Sequence, residues 1–398
     1  VSYDLAVYVS RPAEPAELLE TVTGTRDLAL DGSSSSTGDS VVVVRGVRAR
    51  YCFTVGGPFR VEAEDVPYDV TAAVLGVSHM YTVMVEGSAP TDVPYAVRFA
   101  RRLAQTLGGA VVDQQADEVW SRGSARVAAK PNKDQRIAEV DLRWYVQTEK
   151  LSAGSAAAYV ELARKFLPEA LPSRFGEYEP FQHKLAEVGD EGFDSAWRTA
   201  TSLLFLSAST PCIGGSMWAG PADAHPRRVW TMSLSVHAQP LADELWRDAL
   251  RRLFVGLAER LGCFYASAEV TRGHLWNGRS SGADSQTEWP IMPVSRTGWL
   301  GLPPYPMWWA WYGGPYLDAV SGPLDDAPTT ASPSGRLHEW TDLPADRDQL
   351  AALARPRRRF RRTGEWMTPN LLSTIAPSDG RTRPTPLNPA AWIPPELV

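Results

Sequence analysis

Twice in this chain the same order of elements recurs: a strand-like run, a loop, an amphipathic helix that stops at glycine, and a second strand. The first copy is YTVMVEG, then Tyr95 to Leu107, then Gly108-Gly109 and AVVDQ. The second is WTMSLSVHAQP, then Leu241 to Leu261, then Gly262 and CFYASAEV. Ala96, Phe99, Ala100, Leu103 and Leu107 fall at helical spacing in the first helix. In the second, Leu241, Leu245, Ala249, Leu253, Leu257 and Leu261 recur every four residues, and Trp246, Leu250 and Phe254 widen the face. Pro240 suits the first helical position, and Asp243 and Glu244 suit the positive end of the dipole. Glycine ends both helices because it tolerates the left-handed conformation there.

A strand-then-helix pair lies upstream of each copy. These are Tyr3 to Val9 with Pro12 to Val22, and Ile137 to Gln147 with Ala156 to Leu167. The resulting order, βαββαβ, is that of a split βαβ unit, whose helices cover one face of an antiparallel sheet. The expected fold class is therefore α+β, with two split-βαβ (ferredoxin-like) modules at 1–122 and 136–272. The polar run 123–135 reads as a linker. From 273 to 398 Gly, Pro, Trp and Arg dominate and periodicity fades, so this portion is expected to wrap over the second module.

The bulk properties narrow the function classes. A net charge of −6 disfavours general nucleic-acid binding. Cys52, Cys212 and Cys263 are widely spaced and form no CxxC pair, so they read as reduced, buried thiols and not as a disulfide framework or zinc site. The first residues, VSYDLAVYVSRPAEP, read as a strand and not a signal peptide. No stretch approaches the length of a membrane span. A cytoplasmic protein with no membrane partner is expected.

No catalytic residue, metal site or cofactor is assigned. There is no GxSxG elbow, and no GK[ST] follows GGSMWAG. Cys212 lies in TPCIGGSMWAG, read as a tight turn. Cys263 follows a helix C-terminus, where the dipole raises a thiol's pKa. His225 and His237 are a strand's length apart, and neighbours such as His338 and Glu339 face apart. An enzyme with a pocket between the two modules, near Cys212, His225 and His237, is one alternative. A nucleic-acid binder is another: in RPRRRFRR, Arg357, Arg358 and Arg359 would clamp phosphates while Phe360 stacks on a base.

Of the 15 tryptophans many follow residue 215, and the run LPPYPMWWAWYGGPYLDAV at Leu302 to Val320 concentrates rings most densely. Pro303, Pro304, Pro306, Pro315 and Gly313-Gly314 break any long regular element there. Trp309 and Tyr312 are expected to be buried against the second module, with Tyr305, Trp308 and Trp311 at a surface.

This run resembles a proline–tryptophan–tyrosine segment of immunity-like proteins from bacterial polymorphic toxin and type VI secretion systems. Trp309, Tyr312 and Pro315 fill a W-x-x-Y-x-x-P spacing, and Tyr316 to Val320 fill the helix start that follows it. LPSRFGEYEP, at Leu171 to Pro180, resembles the Arg-aromatic-Gly loop that comes earlier in those proteins. The resemblance covers residues 136–320. It implies a non-enzymatic protein that neutralises a protein toxin by stoichiometric binding. The expected partner-binding residues are Tyr305, Trp308, Trp311, Tyr178 and Phe181, since rings and arginines are favoured at binding hot spots.

Overall fold

The computed structural model describes residues 2–31, 40–87, 89–113, 115–116, 118–121, 124–127, 135–151, 154–201, 203–218, 229–276, 280–295, 298–299, 301–303, 306–314, 316–317 and 329–354. The chain divides into two compact units, Val1–Pro131 and Asn132–Val398. Each is α+β with an antiparallel sheet.

The first unit runs β1 (Tyr3–Val9), α1 (Pro15–Thr23), β2 (Leu28–Leu30), β3 (Ser40–Arg45), β4 (Arg50–Arg60), α2 (Tyr68–Ala73), β5 (His79–Val85), α3 (Val93–Thr106), β6 (Ala110–Asp113), β7 (Glu118–Ser121) and β8 (Ser124–Val127). The sheet order is β2-β3-β4-β5-β1-β6-β7-β8. Strand alternation sends Leu5, Val7 and Val9 of β1 to a core shared with Phe53, Phe99 and Leu103. Ala6 and Tyr8 point the other way, to a smaller apolar core closed by Val70 of α2 and by Val74 just after it. Both faces of this sheet are therefore covered. β8 lies in the stretch expected to be a linker, and it pairs with β7.

The second unit runs β9 (Gln135–Gln147), α4 (Ser155–Phe166), β10 (Arg174–Gly176), β11 (His183–Lys184), α5 (Leu185–Thr199), β12 (Leu203–Ser207), β13 (Cys212–Trp218), β14 (Val229–His237), α6 (Glu244–Arg260) and β15 (Tyr265–Trp276). It continues with β16 (Ser281–Gly282), β17 (Val294–Ser295), β18 (Gly298–Trp299), β19 (Trp309–Gly313), β20 (Thr329–Ser332), β21 (Gly335–Glu339) and α7 (Arg347–Ala354). The main sheet order is β11-β10-β12-β13-β14-β9-β15-β19-β21-β20. The run β13-β14-β9-β15 repeats the order β4-β5-β1-β6 of the first unit: the strand before the second helix lies between the first strand and the one before it.

The two helix stops behave alike. Gly108 and Gly262 have φ of 66° and 67°, a region that strains other residues. The start of α6 differs from expectation. Pro240 sits in a short 3-10 turn, and the helix begins at Glu244 with the Asp243 carboxylate accepting from the Leu245 N–H at 2.8 Å. The apolar face also differs. Four-residue steps advance 400°, so a strict repeat drifts about 40° per step around the helix. Leu245 is accordingly 80% exposed, while Leu250, Leu253, Phe254, Leu257 and Ala258 face the core.

The C-terminal portion extends the sheet instead of only wrapping it. β15 runs to Trp276, and β19, β21 and β20 add three strands beyond it. Their side chains join one core with α4, α5 and α6.

Candidate functional site

The aromatic run is structural. Residues 309–313 form an interior strand, hydrogen-bonded on both sides, and every one of them is buried. The prolines at 303, 304, 306 and 315 lie outside these five positions, so no ladder N–H is lost. Trp309 and Trp311 share a sheet face with Ala266 and Ala268; Trp309 packs 5.8 Å from Phe254 of α6. Tyr312 points oppositely, beside Tyr265 at 5.7 Å. Trp308 is 0% and Trp311 1% exposed, which corrects the expectation that they lie at a surface. The physical reason is donor satisfaction inside the core. The Trp308 Nε1–H donates to the Thr341 carbonyl at 3.0 Å and the Trp311 Nε1–H to the Cys263 carbonyl at 3.3 Å. Gly335 lies against the Trp311 ring; a Cβ there would collide with the indole. Tyr305 lies outside the described residues, as do Arg357, Arg358, Arg359 and Phe360.

Exposed rings occur elsewhere. Among the described residues, Tyr178 (48%), Phe205 (36%) and Trp289 (37%) are the Phe, Tyr and Trp side chains left exposed. All three belong to the second unit, and strand register fixes the face on which Phe205 stands. Register pairs Gly176 with Phe205, Phe205 with Ser216, Ser216 with Ser233, Ser233 with Arg143 and Arg143 with Ser267. Directly paired residues share a face, so Phe205, Ser216, Ser233 and Arg143 stand in one row opposite the helices. The Ser216 and Ser233 hydroxyls meet at 3.0 Å. In the next row the Ser235 hydroxyl approaches Asp141 Oδ2 at 3.5 Å. Unlike its counterpart in the first unit, this outer face carries charge and small hydroxyls, and among the described residues no apolar cluster covers it over β12 to β14.

Tyr178 borders the face at the β10 side, in a loop that is tied down. Gln182 Oε1 accepts from the Glu177 N–H at 2.9 Å, and its Nε2–H₂ donates to the Tyr178 and Pro180 carbonyls at 2.7 and 2.6 Å. The Glu177 carboxylate accepts from the Thr201 N–H and hydroxyl. Glu177 thus ties the loop to Thr201 while its side chain stays exposed. Phe181 is half-buried. Trp289 borders the face at the β15 side: Arg347 donates to the Trp289 carbonyl and to Glu269 Oε1, and Glu269 Oε2 accepts from the Ile291 N–H at 2.9 Å.

Charge is concentrated where β9 crosses this face. Glu139, Asp141 and Arg143 alternate along the strand, and Glu269 pairs opposite Asp141. Burial works against the Arg143 charge, but Asp141 beside it holds the guanidinium's pKa above its ordinary value. Burial, helped by the charge of Asp141, pushes the Glu139 carboxyl up to about 7, although the Ser281 hydroxyl donates to it. His274 Nδ1 lies 3.5 Å from Glu139 Oε2, and burial lowers the His274 pKa despite nearby Asp141 and Glu288. His237 pairs across from Glu139 and is lowered by burial too. Among the described residues, no three His, Cys, Asp or Glu side chains converge on a point that could hold an ion.

The cysteines are buried and unpaired by disulfides. Burial raises the Cys52 thiol to about 12 and holds Cys212 and Cys263 well above the ordinary thiol range, which makes all three poor nucleophiles. Cys212 pairs with Val236 in the ladder and packs into the helix-side core, whereas His237 faces outward. The sheet separates these two side chains, and His225 lies outside the described residues. The GGSMW segment is a strand, not a turn: a Cβ at Gly215 would collide with the Ser233 carbonyl, so glycine there permits close strand approach.

No protein-family model and no curated protein matches the chain. Among solved structures it is similar to a Pseudomonas aeruginosa T6SS protein, PA0821, with 11% sequence identity and a TM-score of 0.39 over 60% of this chain and 84% of that one. It is also similar to an unknown protein from Galdieria sulphuraria, with 12% identity and a TM-score of 0.17 over 68% of this chain and 97% of that one. Among the described residues no helix is long and apolar enough to cross a membrane.

Proposed function

We propose that the second unit docks a protein partner on the outer face of its sheet, and that the chain acts as an immunity-type protein that neutralises a toxin of a type VI or polymorphic toxin system by binding it. The observation that carries the docking reading is the placement of the exposed rings. Phe205 stands on the outer face, and Tyr178 and Trp289 lie in the segments that border it. Aromatic anchors beside arginine are the composition of binding hot spots. Beside Phe205 the row carries the small hydroxyls of Ser216 and Ser233 and then Arg143, whose ion pair with Asp141 is mostly buried. The Gln182 clamp holds the Tyr178 loop in place before binding, so little ordering entropy is lost on contact. The toxin class rests on the resemblance of the Trp309-x-x-Tyr312-x-x-Pro315 segment and of the Arg174-Phe175-Gly176 run, which here forms β10.

The test is co-purification with the secreted protein encoded by the adjacent gene, followed by calorimetry on the complex. Phe205→Asp places a charge on the outer face without disturbing the core. It is expected to weaken binding by at least ~30-fold, a hot-spot loss of about 2 kcal/mol. Leu245→Asp, on exposed helix surface, is expected to leave affinity unchanged. Unaltered affinity in Phe205→Asp would remove the outer face as the docking surface.

A further inference from the structure

We infer that the cleft between α4 and α6, on the helix side of the second unit, is a separate docking site for an acidic, apolar-faced peptide segment of a partner protein. The cleft has a volume of ≈ 520 Å³, within the range of ordinary binding sites. Leu162 and Phe166 of α4 and Val255 of α6 form its floor, and all three are only half-buried. Gly256 keeps it open: a Cβ there would sit 3.2 Å from Leu162 Cδ2, so a longer side chain would occupy the space. Along α6 the lining runs from Arg251 to Arg260, about 14 Å of helix. That length matches two to three turns of a helix laid in a groove.

Charge decides what the cleft accepts. Lys165, Arg251, Arg252 and Arg260 line it against only Glu161 and Glu259. Three of these four cations are paired with an acid, so the positive character of the cleft rests on Lys165 and on the ready exchange of the exposed pairs. The cations are not equally committed. Arg251 is fixed by Glu339 and Thr330 and closes one end. Arg252 pairs one turn back with Asp248, and Arg260 reaches Glu161 at 3.4 Å with both side chains about 60% exposed. Exposed pairs of this kind hold weakly and exchange readily for a better anion. Lys165 rests over the Phe166 ring at 5.0 Å and has no carboxylate partner among the described residues. Cations spaced along the cleft, an apolar floor and an absent side chain at Gly256 together select a segment that presents large apolar residues on one face and carboxylates beside them. This site is independent of the outer face, because the sheet lies between them.

The experiment is fluorescence anisotropy on the full chain. The probe is a labelled peptide of about 15 residues, four helical turns, with leucine on one face and glutamate elsewhere. The control peptide carries lysine in place of each glutamate. The acidic peptide is expected to bind saturably, and at least ~10-fold more tightly than the control at low salt. Gly256→Leu should weaken it at least ~10-fold by filling the cleft, and the exposed pair Lys165→Glu with Arg252→Glu should do the same without touching the core. Phe205→Asp should leave it unchanged. Failure of the acidic peptide to bind, equal binding of both peptides, or insensitivity to both cleft variants would overturn the inference.

Discussion

Replacing Trp311 by alanine is expected to destabilise the second unit by about 3–5 kcal/mol, the cost of removing a large ring from a packed core. Trp311 lies inside the sheet between β15 and β21, its indole N–H is bonded to the Cys263 carbonyl, and the chain leaves Gly335 bare to receive the ring. The surroundings cannot collapse easily onto the space, since backbone forms two of its walls. Urea denaturation followed by circular dichroism reads the effect. Trp289→Ala is the control: that ring is exposed, and its loss should change stability by no more than about 0.5 kcal/mol. A loss below about 1 kcal/mol for Trp311→Ala would mean the aromatic run is surface after all.

The second large effect is a pH dependence centred on Glu139. Its carboxyl is raised from 4.5 to about 7 in the folded protein, by burial first and then by Asp141, against the opposing hydrogen bond from Ser281. The groups facing it are Asp141 on its own strand, His237 on β14, Thr271 and His274 on β15, and Ser281 on β16. Below about pH 4.5 both folded and unfolded chains hold the proton, and Glu139 contributes no difference. As pH rises from about 4.5 to about 7 the unfolded chain has released a proton that the folded protein keeps. Folding stability from this group therefore falls across that window, by up to ~3 kcal/mol, and is flat above it. Glu139→Gln imitates the protonated form and does not titrate. It should match the parent near pH 4.5 and exceed it by up to ~3 kcal/mol at pH 8. The lowered pKa values of His237 and His274 act oppositely, costing stability as pH falls below their ordinary range. Comparing variant with parent at each pH isolates Glu139. Superimposable stability–pH curves would show that its carboxyl is not shifted.

Much of the fold could be read in the sequence where periodicity was long. Both amphipathic helices and the strands Tyr3–Val9 and Gln135–Gln147 are of this kind. Short or interrupted elements were hidden. α2 spans six residues, too few to show a period, and α5 carries Gly189 at φ 66° inside it, which interrupts its helical period. The GGSMW strand was masked by glycines that look like a turn but serve close strand packing. The site was less legible for a different reason. Alternation of Glu139, Asp141 and Arg143 with Val140, Leu142 and Trp144 is visible in the sequence and marks one charged face. The run LLFLS gives no such cue, because four successive apolar residues do not reveal that Leu203 and Phe205 point away from the helix-side core. The aromatic run misled because ring density signals core and contact surface alike. Only the placement of its prolines, all outside 309–313, favoured the core.

A stoichiometric binder acting through the second unit would inactivate its target molecule for molecule. Titrating a secreted toxin encoded beside this chain with the purified protein, and following residual toxin activity, reads this out. A linear fall that reaches zero at one chain per toxin molecule is expected, with loss of that endpoint in Phe205→Asp. Complete inactivation at well below one chain per toxin, continuing with time, would mark turnover and contradict it, as would full toxin activity in excess chain.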